Sequence, residues 1–223
     1  MDNLIRITKN ITFEDLKLGR KSPIDVYEEQ INNWLFRPLE QLALDKTTSF
    51  ENGYAMLGLE LLFFEPHGKY LSGSISSASG KCFRFGFDPF LKFLELNFLI
   101  DKTTLGKIRA TNFYGISRCG IFHDMTIKSG LLIDSIHMEK TKVFYNSPVK
   151  NGILVNPWNF LDAQKKYFDN YISELKANKM SDKYNKFEVT FKTLFHCRTK
   201  VFIKDYLGNT TVCILMSYEN NSA

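Results

Sequence analysis

Residues 54–64 are apolar most of the way round a helix, and this constrains the fold more than any other part of the chain. Tyr54, Leu57, Leu61 and Phe64 form one stripe, and Met56, Leu59, Leu62 and Phe63 widen it until little of the circumference is polar. Such a helix is stable only when two of its faces are covered, which places it at the centre of a bundle. It contains Glu60 and is too short to cross a bilayer. No run of eighteen apolar residues occurs elsewhere, and the opening residues 1–6 lack an apolar core, so a soluble, cytoplasmic protein with no membrane contact is expected.

Other helices arrange themselves around this one. Residues 1–21 carry no clear period and read as a lead-in. Ser22-Pro23 then supplies a cap and a first-turn proline, and Tyr27, Ile31, Trp34, Leu35, Leu39 and Leu42 follow at spacings of three and four. Pro38 is expected to kink that helix. The central helix should stop at Pro66-His67-Gly68, where His67 reads as a surface residue, and the serine-rich run 72–80 should be a loop. A third helix is expected over residues 81–98, although the Phe83, Phe85, Phe87 alternation also admits a short strand. Asp101 offers a cap for a fourth helix that carries Leu105, Ile108, Asn112 and Ile116 and ends near Gly130.

After residue 130 the pattern changes. Residues 131–133, 142–145 and 152–155 are β-prone, the last two joined by turn residues into a hairpin. Asn156-Pro157 opens another helix reaching about residue 177, the stretch from 186 is ambiguous, and residues 201–216 read as a terminal hairpin. The fold class is therefore mainly α: an antiparallel helical bundle over residues 22–135, with hairpins and a helix of residues 136–223 packed on it, as one domain overall.

Composition excludes little. The 20 Phe suit a large core, and 29 basic against 24 acidic residues, a net charge of +5, permit a nucleic-acid surface without demanding one. Cys82, Cys119, Cys197 and Cys213 form no C-x-x-C pair and have no histidine at zinc-finger spacing, so they read as buried free thiols, with no metal and no cofactor implied.

Chemistry concentrates at Asn112-Phe113-Tyr114-Gly115-Ile116-Ser117-Arg118-Cys119-Gly120-Ile121-Phe122-His123-Asp124. Arg118 is always charged and can fork onto a phosphate, and His123 moves a proton near neutral pH. RNA is cut without metal when a base takes the 2'-hydroxyl proton, a cation steadies the charged phosphorane and an acid protonates the leaving 5'-oxygen. Tyr114, one turn before Arg118, can stack on a base or pack in the core. Asp124 and Lys128 are candidates for positioning phosphate. Five residues on a straight helix turn side chains by about 140°, so Arg118 and His123 reach one phosphate only across a cleft, on a distorted helix, or with groups from a second copy. Against this stands the plainer reading that Arg118 pairs with an acidic neighbour and His123 is hydrogen-bonded at the bundle edge.

This string resembles the Arg-x4-His motif of the HEPN superfamily of helical ribonucleases and nucleotide-binding domains, over roughly residues 22–132. The resemblance implies a metal-independent endoribonuclease, a toxin or defence effector, whose active site is composed across a homodimer from Arg118 and His123 of both copies. It further implies RNA as substrate, an antitoxin or regulatory protein as partner, and a place for Glu60, since some members put an acidic residue of that helix near the active histidine. One departure is Cys119, where the family usually has a polar residue. The alternative is a non-catalytic HEPN-like module that binds nucleotide, RNA or a protein partner.

Overall fold

A computed structural model describes residues 6–45, 49–75, 78–121, 130–134, 141–147, 152–195, 200–204 and 210–214. The cap at Ser22 forms as its sequence implies: Ser22 Oγ accepts the Asp25 N–H (3.2 Å) while Asp25 accepts the Ser22 N–H (2.8 Å), with Pro23 in the first turn. Helix α2 (Pro23–Ile31) passes through a π-turn (Asn32–Phe36) into α3 (Arg37–Leu44). In a regular spiral the Pro38 ring would clash with the carbonyl four residues back, and the wide turn immediately upstream accommodates it. The expected break at Pro38 thus takes the form of a π-turn. The lead-in is more ordered than its sequence suggests, because α1 (Phe13–Lys17) has its own capping box at Thr12 and Asp15, and Ile11 and Leu16 join the core.

Helix α4 (Ser49–Leu62) is the apolar one, with Met56, Leu57 and Leu61 fully buried. The stop expected at Pro66-His67-Gly68 does not occur. Helix α5 (Phe64–Ser72) begins one residue after α4 and ends at Gly73, whose φ of 71° suits glycine. Pro66 sits in the first turn of α5, where a missing N–H costs nothing. His67 is fully buried rather than at the surface. Gly68 serves contact, not termination. A Cβ there would lie 1.8 Å from the Cys82 carbonyl oxygen of α6 (Ser79–Leu96), and one at Gly86 of α6 would lie 2.3 Å from the Phe64 carbonyl oxygen. Two glycines, one on each helix, let the α5 and α6 backbones touch.

Helix α6 is continuous through Pro89, so the strand admitted at residues 83–87 is absent: Phe83, Phe87, Phe90, Leu91 and Leu94 are buried at helical spacing. Helix α7 (Lys102–Ala110) starts at the predicted cap, Asp101 accepting the Thr104 N–H at 2.8 Å. It ends at Thr111, which is extended (φ −98°, ψ 153°). The described part of the motif therefore lies on a separate helical segment, residues 113–121, and not on the continuation of α7.

Strands β1 (Leu131–Ile133), β2 (Phe144–Asn146) and β3 (Ile153–Val155) form a sheet in the order β1-β3-β2. The predicted hairpin is β2 with β3, antiparallel, with Phe144 opposite Val155, and β1 adds to the other edge of β3 in parallel, with Leu131 opposite Ile153. Helix α8 (Pro157–Ala177) is capped by Asn156, which accepts the Asn159 N–H. Helix α9 (Asp182–Phe195) occupies the stretch that sequence left ambiguous. Its Phe187, Thr190 and Phe191 are buried, and Thr190 Oγ1 donates to the Lys69 carbonyl of α5 at 3.1 Å. Strands β4 (Lys200–Lys204) and β5 (Thr210–Ile214) pair antiparallel, as the terminal hairpin predicted. Phe64 sits among the rings of Phe83, Phe87, Phe90 and Phe160, with centroids 5.0–5.9 Å apart, so α5, α6 and α8 meet around it.

Candidate functional site

The motif segment is built by local hydrogen bonds. Asn112 Oδ1 accepts the Gly115 N–H (3.2 Å), and a Cβ on residue 115 would lie 2.5 Å from the Asn112 side-chain amide, which would have to shift. Phe113 anchors the segment by stacking on Phe87 at 4.8 Å. Residues Gly115–Cys119 then wind as a π-turn, with the buried Ser117 donating from Oγ to the Phe113 carbonyl at 2.5 Å. Wide turns of this kind redirect one side chain relative to the rest of a helix and recur at functional sites. Arg118 is the fourth residue of this one, so the local helix distortion that sequence geometry asked for is present at the arginine.

Arg118 Nη2 donates to Glu65 Oε2 at 3.1 Å, and the two side chains are only 20% and 17% exposed. The guanidinium carbon lies 5.8 Å from the centre of the Tyr114 ring. Tyr114 in turn packs on Phe83 (5.1 Å) and against Gly80, and hydrogen-bonds the Cys119 side chain. Burial, then the bond to Cys119, push the Tyr114 hydroxyl above its usual pKa, and the Arg118 charge opposes them. Tyr114, Arg118, Cys119 and Glu65 thus form one cluster, in which α5 supplies the acid and the motif segment everything else. With so little water around the pair, Glu65 fixes the orientation of the guanidinium and offsets part of its charge.

Of the residues singled out in the sequence, the structure brings Tyr114 and Arg118 together. Glu60 does not join them. It is fully buried on α4, its carboxyl has no hydrogen-bond partner among the described residues, and burial pushes its pKa well above the usual carboxylate range. Its backbone carbonyl accepts from Gln164 Nε2 of α8 at 2.9 Å, which fixes that stretch of α4. Glu65, five residues on, is an acidic partner of Arg118, so that half of the plainer reading of the motif holds; beside a Pro66 taken as a stop, Glu65 itself reads from sequence as a solvated edge and not as a site. Read instead as a first-turn proline, Pro66 puts Glu65 at the start of a new helix, where an acid is favoured. His123, Asp124 and Lys128 lie outside the described residues.

His67 belongs to the core. Its Nδ1 is 3.0 Å from the Tyr27 hydroxyl, its ring stacks on Phe63 at 4.5 Å, and burial, aided by Lys183, pulls its pKa down to about 3. It is neutral near pH 7 and supplies no proton there. Among the described residues no group of His, Cys, Asp and Glu could hold a metal ion, and no helix is long and apolar enough to cross a membrane. No protein-family model matches the chain, and neither a curated protein nor a solved structure matches it.

Proposed function

We propose that the chain is a metal-independent endoribonuclease of the HEPN type that cuts RNA by attack of the 2'-hydroxyl on the adjacent phosphate. The observation that carries this reading is Arg118: a largely buried guanidinium, oriented by Glu65 and carried on a π-turn five residues ahead of His123. The ion pair by itself is also what a structural arginine beside an acidic neighbour would make; the small exposure of the guanidinium and the π-turn that carries it are what favour a functional one. In the proposed reaction Arg118 takes a non-bridging phosphate oxygen and His123 moves a proton. One arginine and one histidine are too few for a base, an acid and a charge clamp, so a second copy facing the first completes the site in a homodimer. An antitoxin or other regulatory protein would restrain such an activity in the cytoplasm.

Purified protein incubated with total RNA in EDTA tests the reading. Fragments ending in a 2',3'-cyclic phosphate are expected, and fragments with a 3'-hydroxyl, or cleavage that stops with EDTA, would point to a metal-activated water instead. A second reading is favoured by the same ion pair: Arg118, already engaged by Glu65 with Cys119 beside Tyr114, also suits a module that binds RNA without cutting it. Intact RNA retained tightly by the parent and released by Arg118→Ala would select that reading.

A further inference from the structure

A groove of about 890 Å³ lies between α6, α7 and the first residues of the motif segment. Its polar lining is Arg84 and Asp88 of α6, Arg109 of α7, and Asn112 and Tyr114 at the entry to the motif, with Thr111 between. Tyr114 belongs to two places at once. It lines the groove, and the centre of its ring is 5.8 Å from the guanidinium carbon of Arg118. A ligand lying in the groove against Tyr114 is therefore within a ring's width of Arg118.

The lining is rich in hydrogen-bond donors that are not committed elsewhere. Arg84 is exposed and makes no hydrogen bond or ion pair among the described residues. Arg109 meets Glu95 only at 3.7 Å, with the side chains 56% and 37% exposed, a pair in water that contributes little. A guanidinium carries five N–H groups, so Arg109 can serve a second acceptor as well. Asn112 spends its Oδ1 on the Gly115 N–H and keeps its amide hydrogens. Asp88 is the one acid of the lining. Burial pushes its pKa up and the charges of Arg84 and Arg109 pull it down, so two arginines from different helices bear on the same carboxyl. Two guanidinium groups against one carboxylate leave the groove with a positive excess.

A volume within the range of ligand clefts, a surplus of donors and a positive excess suit a ligand made of anionic acceptors, and the phosphates of a nucleic-acid strand are such acceptors. We infer that the groove seats the stretch of RNA next to the phosphate held by Arg118, with Arg84 and Arg109 on a neighbouring phosphate and Asn112 donating to the same nucleotide. This rests on the reading of the motif as an RNA site, and it applies equally whether the strand is cut there or only bound. Contacts of this kind fix the register of the strand and carry no preference for sequence.

Fluorescence anisotropy with a labelled, short, single-stranded 2'-O-methyl oligoribonucleotide tests the inference, because that strand has no free 2'-hydroxyl and is not cut. Arg84→Met should weaken binding about fivefold, by a similar factor for strands of different sequence, and should lower the slope of log affinity against log salt by about 0.7, the worth of one phosphate contact on a single strand. Arg109→Met should act in the same direction. Melting temperatures should stay at the parent's value in both, since Arg84 has no partner to lose and Arg109 only one in water. Arg37→Met, which removes the same charge from α3, an element that lines no part of the groove, should leave affinity close to the parent's. A parent that binds no RNA overturns the reading of the motif and this inference with it. Binding by the parent that neither Arg84→Met nor Arg109→Met alters, or that Arg37→Met weakens as much, overturns this inference and leaves the reading of the motif standing.

Discussion

Arg118 and Glu65 are bound to each other before any substrate arrives, and that sets what their variants should do. Arg118→Lys should fail in cleavage, because a point charge cannot reproduce the planar fork on phosphate or the geometry now fixed by Glu65. His123→Ala should lower cleavage by roughly 10² to 10⁴-fold, the usual worth of a positioned acid or base, with RNA binding little changed. Rates and binding constants measured in parallel check both, and cleavage surviving in either variant would make the motif structural. At His67 the consequence is in stability. Its pKa is about 3 when folded and about 6.5 when unfolded, so the unfolded chain takes up a proton that the folded chain refuses. Its contribution is complete above pH 6.5 and is lost as pH falls from there toward 3, at about 1.4 kcal/mol per unit. Urea denaturation between pH 5 and 7.5 should show this slope in the parent and a flatter one in His67→Gln. Of these roles the sequence alone suggested only that Arg118 pairs with some acidic neighbour; Pro66-His67-Gly68 looks like a helix end, and only the covering helices show that His67 is interior.

At the scale of elements the positions of helices were legible wherever a cap was explicit, as at Ser22, Asp101 and Asn156, since capping is a local interaction. What failed was everything set by a partner. Gly68 reads as a terminator until α6 is present to touch it, and the two glycines stand eighteen residues apart in the chain. The helical α9 was hidden by the β-prone Val189, Thr190 and Thr193, while Phe187 and Phe191 set the face that α5 covers. The glycine contact makes a sharp prediction. Gly68→Ala and Gly86→Ala push a methyl into backbone of the facing helix, so the helices must separate, and each should destabilise by about 3 kcal/mol or more. Gly106→Ala in α7 meets nothing within 4 Å and should instead stabilise by about 0.5–1 kcal/mol. Thermal melts of the three variants would reveal a failure, the most telling being a tolerated Gly68→Ala.

For the whole molecule, the apolar periodicity of residues 54–64 was enough to imply a mainly helical fold, and the structure has it, with the small sheet in the C-terminal third. The parallel edge that β1 adds was not readable, because three apolar residues carry no sign of strand direction. The proposed reaction needs groups from a second copy, so light scattering at micromolar concentration should give twice the chain mass of 25.9 kDa. A monomer that cleaves RNA would show that one chain suffices. The touching of α5 and α6 has a further consequence, in time. Their contact closes only the short connection after Gly73, so it is cheap in chain entropy compared with β1 on β3, which joins strands some twenty residues apart. The helix pair should therefore be present in the folding transition state and the sheet should not. Cys82→Ala, behind the glycine contact, should mainly slow folding, with φ of about 0.5–0.8, whereas Val155→Ala in β3 should mainly speed unfolding. A chevron analysis that reversed this order would mean that the backbone contact of α5 with α6 is made last, after the rest of the core has already chosen its partners.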